Sequence, residues 1–480
     1  MGILTLGLFF SLLTSLRDFR IDNIEAVTII SIAVGAIVLI PLAYGNLVNP
    51  VGVYLWFALI VLLSMPIRWL FLTRLVSEGP IFILLHKDLT AFVPGALVAS
   101  LGILCVVMGY VLAGKPRLIS SKTIIRLGEV DERRFAIVLT VAVLISLMAI
   151  AYYLKQTGFS LVDLSSISAK RGVSSGADVD GYTRRLCDLI YILTIIAASF
   201  SASASGPTAR YLKRLAWITA SAAIFWAIAS SVRAGLIFVA ISVTAVYVQT
   251  RRREFPVVPL IVAVLLANLA FTFISSARKG NTEASDIAEG FIEFRGLESI
   301  AVTGNLGGTI FTQHMLDLVP GTINYQAGST FTYLFIAPIP RSIWPGKPQA
   351  LGAFLEDYLG VQAETRRGGG MATGLVGEII VNFGLLGIVP IMLIFGVLLR
   401  WIENSVSPLA TQSPSAIALQ QIFAISLVYS LYGYNLARGG VDLIFSLAAF
   451  LIICWLASNR RAHKMGSQFN RNTIFTQRLS

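Results

Sequence analysis

The chain has 480 residues, of which 56% are hydrophobic and only 13% charged, and its mean hydropathy is +0.78. Soluble domains carry about a quarter charged residues, and a soluble core does not leave so many long uncharged runs, so a soluble globular class is excluded. The formal net charge of +12 does not point to nucleic acid, because the basic residues sit in short clusters between apolar runs, as in the loops of membrane proteins.

A crossing helix needs about 20 apolar residues. By that measure the sequence predicts an all-α, polytopic transmembrane bundle of about 12 spans. The first three fall at 1–16, 26–45 and 50–71. The opening run lacks a basic leading region and a small-residue cleavage site, so it is expected to be a span and not a signal peptide. Spans follow at 88–113, 135–154, 186–204, 213–231, 234–250 and 256–277. These nine make up a region 1–277, followed by a large extracytoplasmic loop at 278–373 between spans nine and ten. The last three spans, at 374–400, 415–434 and 440–457, occupy region 374–457, and a basic tail fills 458–480.

Lys and Arg in short loops set orientation. The clusters at 115–134, 210–214 and 251–253, and the tail with Arg460, Arg461 and Lys464, all fall on one side. That side is expected to be the cytoplasm, which puts the C-terminus inside and loop 278–373 outside. Arg17, Arg20, Arg68, Arg74 and Lys87 break the alternation, so the N-terminal side stays open. The large loop carries apolar runs such as 331–339 and is expected to pack on the mouth of the bundle. Cys105 and Cys454 lie in apolar runs and Cys187 at the edge of one; no spacing suggests a disulfide framework or metal site. No P-loop pattern is present, which argues against ATP hydrolysis.

Basic residues on the outer side oppose the usual bias and call for a reason. They are Arg233 in Ser-Val-Arg-Ala-Gly, Arg278 and Lys279, Arg341 and Lys347 in Pro-Ile-Pro-Arg-Ser-Ile-Trp-Pro-Gly-Lys-Pro, Arg366 and Arg367, and Arg438 in Ala-Arg-Gly-Gly. The planar arginine fork matches phosphate oxygens, above all in a dry site, so a set converging at the outer edge suits a lipid diphosphate. The plain alternative for each is snorkelling to headgroups or pairing with a carboxylate. Arg438 has such a partner four residues on, in Asp442. Glu378 and Asn382 share a helix face near the start of the tenth span. They suit either a functional site at membrane depth or an interhelical hydrogen-bonded pair. Gly374, Gly377, Gly384 and Gly387 beside them suit close helix packing. His314, in the large loop with Asp317 three residues on, is a candidate general base or an ordinary surface histidine. Gln420 and Gln421 could bond sugar hydroxyls or neighbouring helices.

From about residue 230 onward the chain resembles the O-antigen polymerase (Wzy-type) family of bacterial oligosaccharide repeat-unit polymerases. The resemblance rests on the Pro-Arg-x-x-Trp-Pro-x-Lys-Pro segment, on Gly-Glu-Ile-Ile-Val-Asn-Phe-Gly-Leu-Leu-Gly at 377–387, and on the two short arginine motifs. An Arg-x10-Gly spacing described for some members fits Arg341 with Gly352 and Arg366 with Gly377. The resemblance implies an enzyme of the bacterial inner membrane with a periplasmic active site and no metal or cofactor. It would move a growing glycan from undecaprenyl diphosphate to the far-end hydroxyl of a new lipid-linked unit. Arg233, Arg278, Arg341 and Arg438, helped by Lys347, would stabilise the departing diphosphate. Glu378 first, then His314, would be the general base. Trp344, Tyr333 and Asn382 would contact sugars. Membrane lipids, a chain-length regulator and a flippase are the implied partners, with no nucleic acid. The alternatives are an O-antigen ligase, a transporter or flippase of the lipid-linked unit, and a non-catalytic assembly partner.

Overall fold

Glu132–Thr157 illustrates how the helices are built. One face buries Phe135, Leu139, Val143 and Ile150, while Ile137, Val141, Leu144 and Met148 stand exposed on the other. A helix apolar on both faces has no soluble solution and belongs in a lipid phase. The computed structural model describes residues 24–43, 52–69, 92–157, 178–230, 308–336, 343–348, 351–358, 373–409, 413–428 and 436–458, with scattered positions between 240 and 339. Among these residues there is no β strand, and a single bridge joins Val130 to Ser458.

The helices are α1 (Ile24–Ala43), α2 (Val53–Leu62), α3 (Val93–Leu112), α4 (Ser121–Gly128), α5 (Glu132–Thr157), α6 (Asp178–Ser201) and α7 (Gly206–Ala229). Then come α8 (Gly308–Leu318), α9 (Ser329–Ile336), α10 (Leu351–Tyr358), α11 (Gly374–Phe383), α12 (Ile388–Val406), α13 (Pro414–Phe423) and α14 (Leu436–Ala457). A wide π turn at Leu63–Ile67 extends α2 and absorbs Pro66, which has no N–H to give the ladder. Among the described residues, five helical stretches are long and apolar enough to cross a membrane: Val93–Leu112, Glu132–Gln156, Gly206–Ala229, Leu385–Leu409 and Gly439–Ala457. Four shorter apolar ones are Thr28–Pro41, Val53–Ile67, Gly374–Phe383 and Pro414–Val428. The predicted spans at 1–16, 234–250 and 256–277 lie outside the described residues, apart from helical positions at 240, 243–247, 269 and 272.

Helices without a hydrophobic drive between them pack through small residues and internal hydrogen bonds. α3 and α12 run parallel and touch backbone to backbone. A side chain at Gly109 would collide with the Leu393 carbonyl, and one at Gly396 with the Val106 carbonyl. Arg400 donates to the Tyr110 hydroxyl at 3.1 Å and Asn404 to the Gly114 carbonyl at 3.0 Å, extending the seam past the end of α3. Some hydroxyls inside the bundle bond back along their own helices, as Ser100 does to Ala96 O at 2.6 Å and Thr194 to Ile190 O at 2.8 Å. That lets these two polar residues sit in the interior without stranded donors.

The basic loops gather at one end. Arg117 donates to Asn404 O at 3.2 Å, Ser415 to Ile124 O at 2.6 Å, and Asp131 N to Ala457 O at 3.0 Å. Phe135, at the start of α5, stacks on Phe200, at the end of α6, with ring centroids 4.1 Å apart, and Tyr211 of α7 bonds Thr140 at 2.7 Å. Loop 115–134, the start of α7 with its basic cluster, and the last described residue therefore lie together, as the charge pattern predicts. Residues 251–253 and 459–480 lie outside the described residues.

The segment expected to be one span at 374–400 is two helices. Gly384 takes φ +66, outside the helical region and accessible to glycine at no steric cost. Leu385–Gly387 forms a tight turn, and α12 returns beside α11. A Cβ built on Gly102 of α3 would lie 3.1 Å from Val376 and 3.3 Å from Met392. A straight helix would hold those two residues about 24 Å apart, so α11 is folded back against α12. Its start lies level with Gly102, midway along α3, and its end reaches the exposed Phe383 and Leu386.

Candidate functional site

At the end opposite the basic loops, α8, α9 and α11 pack where the sequence predicts a loop and the head of a long span. Glu378 is wholly buried on α11 and accepts a hydrogen bond from the Thr330 hydroxyl of α9 at 2.9 Å. Asn382, one turn on, donates to the same Thr330 oxygen at 2.6 Å and to Glu378 O at 2.7 Å. Its own Oδ1 accepts from Gly328 N at 2.9 Å. Two backbone bonds, Gln326 N to Val381 O and Ala327 N to Asn382 O, fix the loop before α9 on the end of α11. The predicted pairing of Glu378 and Asn382 on one face therefore holds, and Thr330 joins them. Thr330 has no signal of its own in the sequence, because it meets Glu378 only through the fold.

α9 has no fully buried residue and lies over Glu378 as an outer layer. Tyr333, one turn beyond Thr330, sits under the Lys347 ammonium, which is 5.2 Å from the ring centre. Such a contact is worth about 1–2 kcal/mol when desolvated. Lys347 is buried and donates to Ile339 O at 2.9 Å. Trp344 is 40% exposed, and its carbonyl accepts from Lys347 N. On the far side of α9 a side chain at Gly440 would collide with Leu334, so the start of α14 lies against α9. The backbone of Arg438 belongs to that first turn. Lys347, Tyr333, Trp344, Glu378, Asn382 and the head of α14 are thus brought to one end of the bundle. Arg233, Arg278 and Arg341 lie outside the described residues, as do Arg366 and Arg367.

One expectation changes. His314 is not a surface loop residue. It lies on α8 with 4% exposure, its ring edge-on to Phe92 at 6.0 Å and tilted to Phe311 at 6.2 Å. α8 is held there because Gln313 accepts from Gly95 N at 2.7 Å and donates to Asp317 at 2.8 Å. Its neighbours Phe311 and Met315 pack on Gly377, so α8 is wedged between α3 and α11. Asp442 forms an ion pair with Arg185 of α6, while the side chain of Arg438, its expected partner, lies outside the described ones.

A second buried carboxylate escaped the motif reading. Glu403, near the end of α12, accepts from Val53 N at 2.6 Å, from Tyr54 N at 3.3 Å and from the Ser407 hydroxyl. It caps the first turn of α2 at the basic end, where the helix presents unpaired amides. The signal was an acidic residue at the margin of an apolar run. Among the described residues no cluster of His, Cys, Asp and Glu could hold a metal. Comparison with protein-family models, curated proteins and solved structures finds no match for this chain.

Proposed function

We propose that the protein is a membrane glycosyltransferase that polymerises lipid-linked oligosaccharide units at the outer face of the bacterial inner membrane. One observation carries the proposal: a carboxylate, Glu378, wholly buried on an apolar helix, accepts a hydrogen bond from a side-chain hydroxyl. An ionisable group in that position is costly unless it is used. A hydroxyl partner can be exchanged for the hydroxyl of an acceptor sugar. In the reaction the acceptor oxygen attacks the anomeric carbon of the growing glycan. The bond from that carbon to the diphosphate oxygen breaks, the lipid diphosphate leaves with the electron pair, and Glu378 takes the hydroxyl proton. Lys347 lies beside the site as a cation for the leaving group, with Arg233, Arg278, Arg341 and Arg438 assigned to the same role from sequence. Tyr333, Trp344 and Asn382 are the proposed sugar contacts. Glu378 is preferred to His314 as base because it already accepts a hydrogen bond from a hydroxyl.

A second proposal has an observation of its own. The half-length helix α11, folded back with an ionisable residue on it, is also what transporters use to build a site at the bilayer midplane. The glycan made by a strain lacking the gene separates the two. Loss of long chains with single units retained on the surface supports the polymerase. Loss of all surface glycan supports the flippase, or a ligase, and contradicts the polymerase.

A further inference from the structure

α11 starts inside the bundle, level with Gly102 of α3, and its first residues, Gly374, Leu375 and Val376, are buried. The first amides of any helix lack intrahelical partners. Here the capping residue, Thr373, makes no side-chain bond to them. Thr373 is in the right-handed region (φ −64°, ψ −19°), and Gly374 follows at φ +66. Successive residues of opposite hand turn their amides into one concavity, the backbone arrangement that holds phosphate oxygens in proteins. Only glycine takes the second position without strain.

A separate observation points to a ligand. Thr373 is fully buried, and its hydroxyl has no hydrogen-bond partner. A buried hydroxyl without a partner costs about 1–3 kcal/mol. A threonine at a helix start ordinarily removes that cost by capping; this one leaves its hydroxyl without a partner at the end where the helix presents its first amides. We infer that Thr373 and Gly374, at the inner end of α11, form a binding site for a phosphate-class anion. The polarity of the helix start favours negative charge there. Glu378 lies one turn further along, about 6 Å up the axis. Taken with the polymerase proposal, on which this part rests, the anion is the lipid-linked diphosphate, and leaving group and base are spaced along a single helix.

Full-length protein in nanodiscs, titrated with inorganic pyrophosphate and separately with polyprenyl diphosphate built into the disc, tests the site. Thr373→Val keeps the shape and removes the hydroxyl, Thr373→Ser restores it, and Gly374→Ala strains the concavity. The site requires affinity for at least one probe to fall about ten-fold in Thr373→Val, to return in Thr373→Ser, and to fall in Gly374→Ala. Response to both probes makes the diphosphate itself the ligand; response to the lipid probe alone makes the prenyl-linked headgroup the source. Wild-type affinity in both Thr373→Val and Gly374→Ala, or no binding of either probe to the wild type, overturns the inference. If binding behaves as described but the deletion strain keeps long chains, the anion site stands and the polymerase proposal falls.

Discussion

The hairpin of α11 and α12 carries two buried glutamates, at opposite ends of the bundle, and they are held differently. Glu403 accepts from two backbone amides and a serine, and each of those partners is itself fixed by the start of α2 and the end of α12. Glu378 accepts from the hydroxyl of Thr330, on a helix with no buried residue. Both are buried, so burial does not separate them. A carboxylate on backbone amides completes a helix end and is needed for the fold. A carboxylate that receives a side-chain hydroxyl under an outer helix can exchange that hydroxyl for another, as the proposed reaction requires.

The sharpest way to break this contrast is to remove each glutamate in turn. Glu403→Ala leaves two amides of α2 unpaired in the bundle and is expected to cost about 3 kcal/mol. Thermal unfolding in detergent should show a clear loss and a low yield of inserted protein. Glu378→Gln preserves shape and should melt like the wild type, yet slow chain extension about 100-fold or more, read from the ladder of glycan lengths. Similar melting losses in both variants would erase the distinction. Thr330→Val tests the coupling at the outer end: about ten-fold lower extension with little change in stability, because Asn382 keeps its bonds to Gly328 N and Glu378 O. The smallest effect is expected for Arg185→Ala. Its pair with Asp442 is partly exposed, and pairs of that kind are worth at most about 1 kcal/mol; a larger loss would mean that the heads of α6 and α14 hold the site in place.

Much of the architecture could be read from the sequence where one local pattern decided it. Apolar runs located α1, α3, α5, α7 and α14, and basic clusters sorted loop 115–134, the start of α7 and residue 458 to one end. The four-residue spacing of Glu378 and Asn382 found the centre of the candidate site. The break at Gly384 was hidden because Leu385, Leu386 and Ile388 keep the hydropathy high across it. Nothing in an apolar run says that its backbone reverses. The large loop yielded its apolar content but not its depth, since the burial of His314 depends on Gly95 and Phe92, far away in sequence. Local spacing offered Asp442 only Arg438 as a partner, and the pair with Arg185, which reaches it across the bundle, carried no sequence signal. Thr373 carried no signal, for its interest lies in a hydroxyl left without a partner.

The most direct test of the role given to Glu378 is extension of a purified lipid-linked oligosaccharide by wild-type protein and by Glu378→Gln in the same nanodiscs. The wild type should build a ladder of products, and the variant should bind the unit, melt at the same temperature and build none. A ladder of normal length and rate from Glu378→Gln would contradict the assignment of the buried carboxylate as the base.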